Sequence, residues 1–155
     1  MANLSEEVRI LSITPATKSG WAVYRDGRII AHGVERFRAG KEMASRYCKW
    51  LVGMLEKYGI THVVAEEAFM GGAGMCVPLE RMKNFLERVC REFHKRWHFI
   101  RGGVMPSNGK AAIVGIVKYF GYELESDEAD GEANAIGVML TYLEICGFPV
   151  THPNE

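Results

Sequence analysis

The chain has 155 residues, is 48% hydrophobic and 25% charged, and balances 19 Lys/Arg against 19 Asp/Glu. That is the size of one domain able to bury a full core, and no apolar run approaches the ~20 residues of a membrane span. The polar start "MANLSEEVR" lacks an export signal, and the cysteines (Cys48, Cys76, Cys90, Cys146) form no C-x-x-C pair, so the expectation is a cytoplasmic protein with reduced thiols and neither a disulfide framework nor a zinc site.

Three runs rich in Val, Ile, Trp, Tyr and Phe, residues 8–14, 20–25 and 28–37, read as strands, with "RDGR" (25–28) supplying an Asp-Gly hairpin turn between the second and third. The chain therefore opens with an antiparallel meander. After Gly40, Met43, Ala44, Tyr47, Leu51, Leu55 and Tyr58 recur at helical spacing, and Gly59 is placed to end that helix. "THVVAEE" (61–67) has the nearly continuous apolar character of a buried parallel strand, and "MGGAGMCVP" (70–78) reads as a loop. From Pro78, the stripe Leu79, Met82, Phe85, Leu86, Val89, Phe93 and Trp97 predicts a long helix to about residue 97, with "FIRGGVM" (99–105) as a fifth strand.

Two helices follow. One spans about 109–120, with Ala112, Ile113, Ile116, Val117 and Phe120 inward, and the other about 127–146, with Ala133, Ile136, Leu140 and Leu143 inward. This order implies a single α/β domain over residues 1–155, built on one mixed five-stranded sheet flanked by helices.

Residues 81–101 carry seven Lys/Arg against two Glu, whereas residues 119–155 carry eight Asp/Glu and no Lys or Arg. Such segregation suggests a basic face beside an acidic site. His94 and His98 in "HKRWH" read as a cationic helix end rather than as metal ligands, because no third ligand is near. "GGVMPSNGKA" fails as a P-loop: Val104 stands where glycine is needed, and Ala111 where Ser or Thr would follow Lys110. No G-x-S-x-G or Cys–His pairing supports nucleophilic catalysis.

The carboxylates carry more. In "ESDEADGEANAIGVML" (125–140), Asp127 and Asp130 are three apart at a helix start and so share a face, with Asn134 following on it. Acids in a first turn also stabilise the helix dipole, which accounts for Asp127 and Glu128 but less well for Asp130, beside the apolar stripe. Glu66 ends a buried strand, where an unpaired carboxylate is costly, and Glu67 alternates to the other face. A strand-end Glu with two helical Asp makes an oxygen-rich set suited to Mg²⁺ or Mn²⁺.

With these motifs in this order, the sequence resembles the RuvC-type Holliday junction resolvases of the RNase H-like superfamily, particularly the short phage-type relatives, over about residues 8–146. The matching stretches are "ILSITPATKSGWAVY" with "GRIIAHG", "VVAEEAFM", "VMPSNGKAAIVG" and "SDEADGEANAIGVML". The resemblance implies a metal-dependent endonuclease on four-way or other branched DNA, working as a two-fold dimer with Mg²⁺ or Mn²⁺ as cofactor. It puts Glu66, Asp127 and Asp130 at metal-ligand positions, Lys110 near the scissile phosphate and Phe69 at the junction-probing aromatic. A phenylalanine there suits the core equally well, and Lys118 is a further, weaker basic candidate for DNA contact. The resemblance also puts Thr14 where the family carries an Asp that contacts both metals.

Thr14 is neutral. Ser12 shares its face but is neutral too, and Asp26 lies at the far end of a hairpin, so Glu66 inherits the site and the implied activity is impaired. A second reading follows from the same substitution: a non-catalytic module holding branched nucleic acid or a protein partner. A third, an ATP-binding or scaffold role for the fold, lacks the phosphate loops it needs.

Overall fold

The computed structural model describes residues 7–15, 18–38, 40–67, 77–101, 110–125 and 130–155. Its five strands, β1 (Arg9–Thr14), β2 (Lys18–Arg25), β3 (Arg28–Arg36), β4 (His62–Glu67) and β5 (Arg96–Arg101), form one sheet in the order β3-β2-β1-β4-β5. The β1–β2–β3 meander is antiparallel, and β1–β4 and β4–β5 pair in parallel. This is the mixed five-stranded sheet that the order of sequence elements implies.

Strand β1 is buried on both faces, and its alternation sorts the core into two layers. Ile10 packs with Ala22, Tyr24, Val64 and Ile100 against α4 (Asp130–Cys146). Leu11 and Ile13 pack with Val23, Val63 and Ala65 against α1 (Met43–Tyr58) and α2 (Val77–Glu92). A third helix, α3 (Lys110–Tyr119), lies over α4 and adds Val117 to the first layer. Helix α4 is therefore covered from two sides, which explains why Ala133, Ala135, Ile136, Val138, Met139 and Leu143 are all buried. A smaller aromatic cluster, Phe37, Met43, Tyr47 and Met82, closes one end of the α1–α2 layer. Among the described residues, no helix is long and apolar enough to cross a membrane.

Among the described residues, helices α1 to α4 each end in the same hydrogen-bonded motif. The pairs are Ile60 N–H to Leu55 O with Gly59 N–H to Glu56 O, Lys95 to Cys90 with His94 to Arg91, Tyr122 to Val117 with Gly121 to Lys118, and Phe148 to Leu143 with Gly147 to Glu144. Each is a Schellman cap, which needs a left-handed residue at the turn. Gly59, Gly121 and Gly147 supply it without strain, whereas α2 uses His94, at φ 58°.

That cap corrects the sequence-based expectation for this region. Helix α2 stops at Glu92 rather than near residue 97, and β5 begins at Arg96 rather than at 99. Trp97 and Phe99 alternate with the exposed Arg96 and His98, the period of a strand and not of a helix. His94 and His98 consequently share no helix end: one sits in the cap, and the other stands on β5 with its ring 5.3 Å from Tyr142. A smaller correction concerns Ile116, expected inward on α3 but 37% exposed, because Val117 takes the core position. The stretches 68–76 and 102–109, which hold most of the two expected glycine-bearing segments, lie outside the described residues.

Candidate active site

Parallel pairing brings the C-terminal ends of β1 and β4 together. The register matches Ile10, Leu11, Ser12 and Ile13 with His62, Val63, Val64 and Ala65, so Thr14 and Glu66 stand side by side one residue further on. The alternation that turns Ile10 and Val64 toward α4 also assigns Thr14 and Glu66 to the α4 face. Glu66 is half-buried there, paired in register with Ile100 of β5.

The first turn of α4 docks on the tip of β1. The Thr14 hydroxyl, 6% exposed, accepts from Gly20 N–H at 3.1 Å and donates to the Gly131 carbonyl at 3.1 Å. Two residues back along β1, the Ser12 hydroxyl donates to Ala135 O at 2.7 Å, so the strand grips the helix at two successive turns. The approach is close because both surfaces are glycine: a Cβ on Gly20 would lie 1.8 Å from Gly131 O. Asp130, the first residue of α4 and the chain neighbour of Gly131, is thereby carried to the same end of the sheet as Glu66.

The other expected site residues fall as follows. Lys110 is the first residue of α3, and Lys118 is exposed on its last turn. The side chains of Lys110, Asp130 and Glu67, and the whole of Phe69 and Asp127, lie outside what the structure describes. Asn134 is half-buried on α4, and Asp26 is exposed in the β2–β3 turn. Among the described residues, no group of three His, Cys, Asp or Glu side chains is placed to hold a metal ion. Much of the basic run lies on α2 and β5, where Lys83, Arg88 and Arg91 lie over the rings of Phe99, Phe85 and Trp97.

Sequence reasoning passed over one charged residue here. Glu132, third in α4, is 1% exposed. One carboxylate oxygen meets His32 Nδ1 on β3 at 2.5 Å, and the other accepts from Glu125 N–H at 2.8 Å. A signal was available: Glu132 precedes Ile136 by four and Met139 by seven, which places it on the buried stripe. Gly20 and Gly131 were missed as well. A glycine within a strand pattern marks a close backbone approach, and the pair meets at that approach.

Neither protein-family profiles nor curated proteins give a match to this sequence. Solved structures do. RuvC of Thermus thermophilus, in complex with a Holliday junction substrate, superposes with a TM-score of 0.68 at 15% identity, covering 91% of this chain and 97% of that one. The fowlpox virus Holliday junction resolvase gives a TM-score of 0.67 at 14% identity, with 90% and 99% covered. The yeast mitochondrial Holliday junction resolvase gives 0.58 at 11%, with 92% and 80% covered. With its strand order, its α4 docked across β1 and these superpositions over nearly whole chains, the protein has the RNase H-like fold of the RuvC-type Holliday junction resolvases.

Proposed function

We propose that this protein is a divalent-metal-dependent, structure-selective endonuclease acting on four-way or other branched DNA. The observation that carries the reading is the convergence of Glu66 and the first turn of α4 on the tip of β1, at the C-terminal ends of two parallel strands. Solved proteins of the same fold include resolvases bound to Holliday junctions.

The donor chemistry fits a hard cation, since Glu66, Asp130 and Asp127 offer carboxylate oxygens only. Thr14 does not complete the set, because its hydroxyl proton and one lone pair are committed to Gly131 and Gly20. Glu66, Asp127 and Asp130 would hold Mg²⁺ or Mn²⁺ with three acids rather than four. The ion, when bound, supplies Lewis acidity toward a phosphodiester and lowers the pKa of water. The chain's own groups do the rest: Lys110 offsets charge gathering on the scissile phosphate, Lys118 steadies the backbone, and Phe69 stacks on bases unstacked at the branch point. A two-fold homodimer, matching the symmetry of a four-way junction, belongs to the same proposal.

A second reading has its own observation. The missing first-strand carboxylate and the engaged Thr14 hydroxyl favour a module that binds branched DNA without cutting it. One experiment separates the two. A labelled four-way junction is incubated with protein and Mg²⁺ or Mn²⁺, and a parallel gel shift is run in EDTA. Metal-dependent nicking lost in Asp130→Asn and Glu66→Gln supports the nuclease; a shift in EDTA without nicking supports the module. Neither nicking nor a shift overturns both. For the dimer, a strictly monomeric sedimentation profile at tens of micromolar counts against it.

A further inference from the structure

We propose that Glu132 is a positioning residue: its carboxylate ties the beginning and end of the acid-bearing segment 125–132 to each other and to the sheet. The link to metal rests on the nuclease reading; the tether itself does not.

A carboxylate with 1% exposure is expensive to bury unless its oxygens are satisfied, and replacing it with a hydrophobic residue of similar volume is often neutral or better. Its presence on the inner stripe of α4, among Ala133, Ile136 and Met139, therefore calls for a use. Stabilising the helix dipole is not sufficient, because an exposed acid in the first turn does that without desolvation. Metal ligation is a poor alternative. One oxygen is held by Glu125 N–H and the other by His32. His32 stands on β3, with β2 between it and the Thr14–Glu66 end of β1 and β4.

The use that remains is mechanical. Glu125 and Glu132 bracket a stretch of chain that contains Asp127 and Asp130. The bond from Glu125 N–H to Glu132 joins the two ends of that stretch, removing much of the freedom those ends would otherwise have. The bond to His32 fixes Glu132, and through it the joined ends, to the sheet. His32 is itself braced: its ring meets Tyr122 edge-on at 6.0 Å and 86°, the Tyr122 hydroxyl lies 3.0 Å from His152 Nδ1, and His152 stacks on Phe120 at 4.1 Å. The C-terminal tail thus backs the anchor from behind. Residues that orient ligands without touching the ion commonly cost 10- to 100-fold in metal affinity when removed, roughly the scale to look for here.

The test compares the parent chain with Glu132→Ala and Glu132→Gln. Amide hydrogen exchange is followed without metal, Mn²⁺ affinity by calorimetry, and junction binding by gel shift in EDTA. In Glu132→Ala, exchange across residues 122–132 should rise about tenfold, the factor that a lost hydrogen bond to a charged group implies, while exchange in β1 and α1 stays at the parent level. Mn²⁺ affinity should fall about tenfold or more, and the EDTA gel shift should hold. Glu132→Gln keeps an acceptor for Glu125 N–H and a polar partner for His32, so it should recover most of both losses.

A folded Glu132→Ala with parent-like exchange over 122–132 overturns the tether. So does a Glu132→Gln as impaired as the alanine variant. Should Glu132→Ala fail to fold, His32→Phe keeps a ring but removes the sheet anchor; unchanged exchange over 122–132 in that variant overturns the proposal equally. If the parent binds no Mn²⁺, the metal-dependent nuclease reading falls, and the exchange comparison still decides the tether.

Discussion

Thr14 and Gly131 are joined by a hydrogen bond of 3.1 Å from the threonine hydroxyl to the glycine carbonyl, linking the tip of β1 to the first turn of α4. The same oxygen accepts from Gly20 N–H, so one buried hydroxyl serves strand, neighbouring strand and helix together. Thr14→Val keeps the shape and removes both bonds, leaving a buried N–H and a carbonyl without this partner. The expected loss is about 1–3 kcal/mol of unfolding free energy, read as a lower denaturant midpoint at unchanged slope. A midpoint equal to the parent's would show that the hydroxyl does not hold the two elements together.

Two alanine substitutions at glycine should move stability in opposite directions. Gly20→Ala forces a Cβ to 1.8 Å from the Gly131 carbonyl oxygen and 2.6 Å from Glu132 N, and backbone atoms on both sides leave nothing flexible to yield. It should destabilise by more than about 3 kcal/mol or prevent folding. Gly53→Ala, inside α1 on an exposed face with nothing within 4 Å of the new methyl, should stabilise by about 0.5–1 kcal/mol. Thermal unfolding of the two variants side by side checks both signs.

His94 bears on how a helix end is read from sequence. It occupies the left-handed cap of α2 at φ 58°, a conformation that costs an L-residue about 1–2 kcal/mol. His94→Gly should therefore stabilise by about 0.5–1 kcal/mol, the remainder going to the greater freedom of glycine in the unfolded chain. A loss of stability would mean that the imidazole makes a contact worth more than the strain.

The same residue explains where sequence reading succeeded and where it stopped. Gly59 marked the end of α1 because glycine is the usual left-handed cap, but α2 ends on a histidine, and the apolar spacing of Phe93 and Trp97 happens to continue a helical stripe. The strand meander and the buried β4 were legible, because alternation and hairpin chemistry are local signals. The Gly20–Gly131 approach and the Glu132–His32 pair were not, since each joins residues about 100 or more apart along the chain and no local pattern announces a long-range contact.

Alkaline pH should weaken the fold. Burial pushes the Tyr122 and Tyr142 hydroxyls up to about 12, helped by the charge of Glu155 at the first and a hydrogen bond with Cys146 at the second. Burial likewise raises the Cys90 thiol to about 12, against a smaller opposing pull from Lys95, and lifts fully buried Tyr47 further still. In the unfolded chain these groups ionise near their ordinary values, about 8.5 for Cys and 10 for Tyr. Above those values the folded state holds protons that the unfolded state has released, so stability is full below about pH 8.5 and declines as pH rises toward 12. Denaturant midpoints at several pH values through this window should fall steadily, and Tyr122→Phe should flatten the decline. A constant midpoint would contradict the burial of these side chains.

Thr14→Asp tests the site most directly, and the structure fixes what the substitution must overcome. A carboxylate at this position keeps an acceptor for Gly20 N–H but cannot donate to Gly131, so it sets one acceptor against another at the start of α4. It also stands beside Glu66 and against Gly131, the chain neighbour of Asp130, adding like-charge repulsion. The N-terminal end of α4 attracts an anion, but that gain of about 0.3–1 kcal/mol is set against the lost Thr14–Gly131 hydrogen bond, the two facing acceptors and the repulsion from Glu66. Without metal the variant should therefore be less stable than the parent. With Mg²⁺ or Mn²⁺ the repulsion becomes coordination, so its thermal midpoint should climb more than the parent's as metal is added. On the nuclease reading, junction nicking should increase about 100-fold or more, the scale on which a directly acting electrostatic group matters. A folded variant with no added metal stabilisation would place residue 14 outside the metal site. Added stabilisation without nicking would mean that the chain lacks more than one carboxylate, and the binding module becomes the better account.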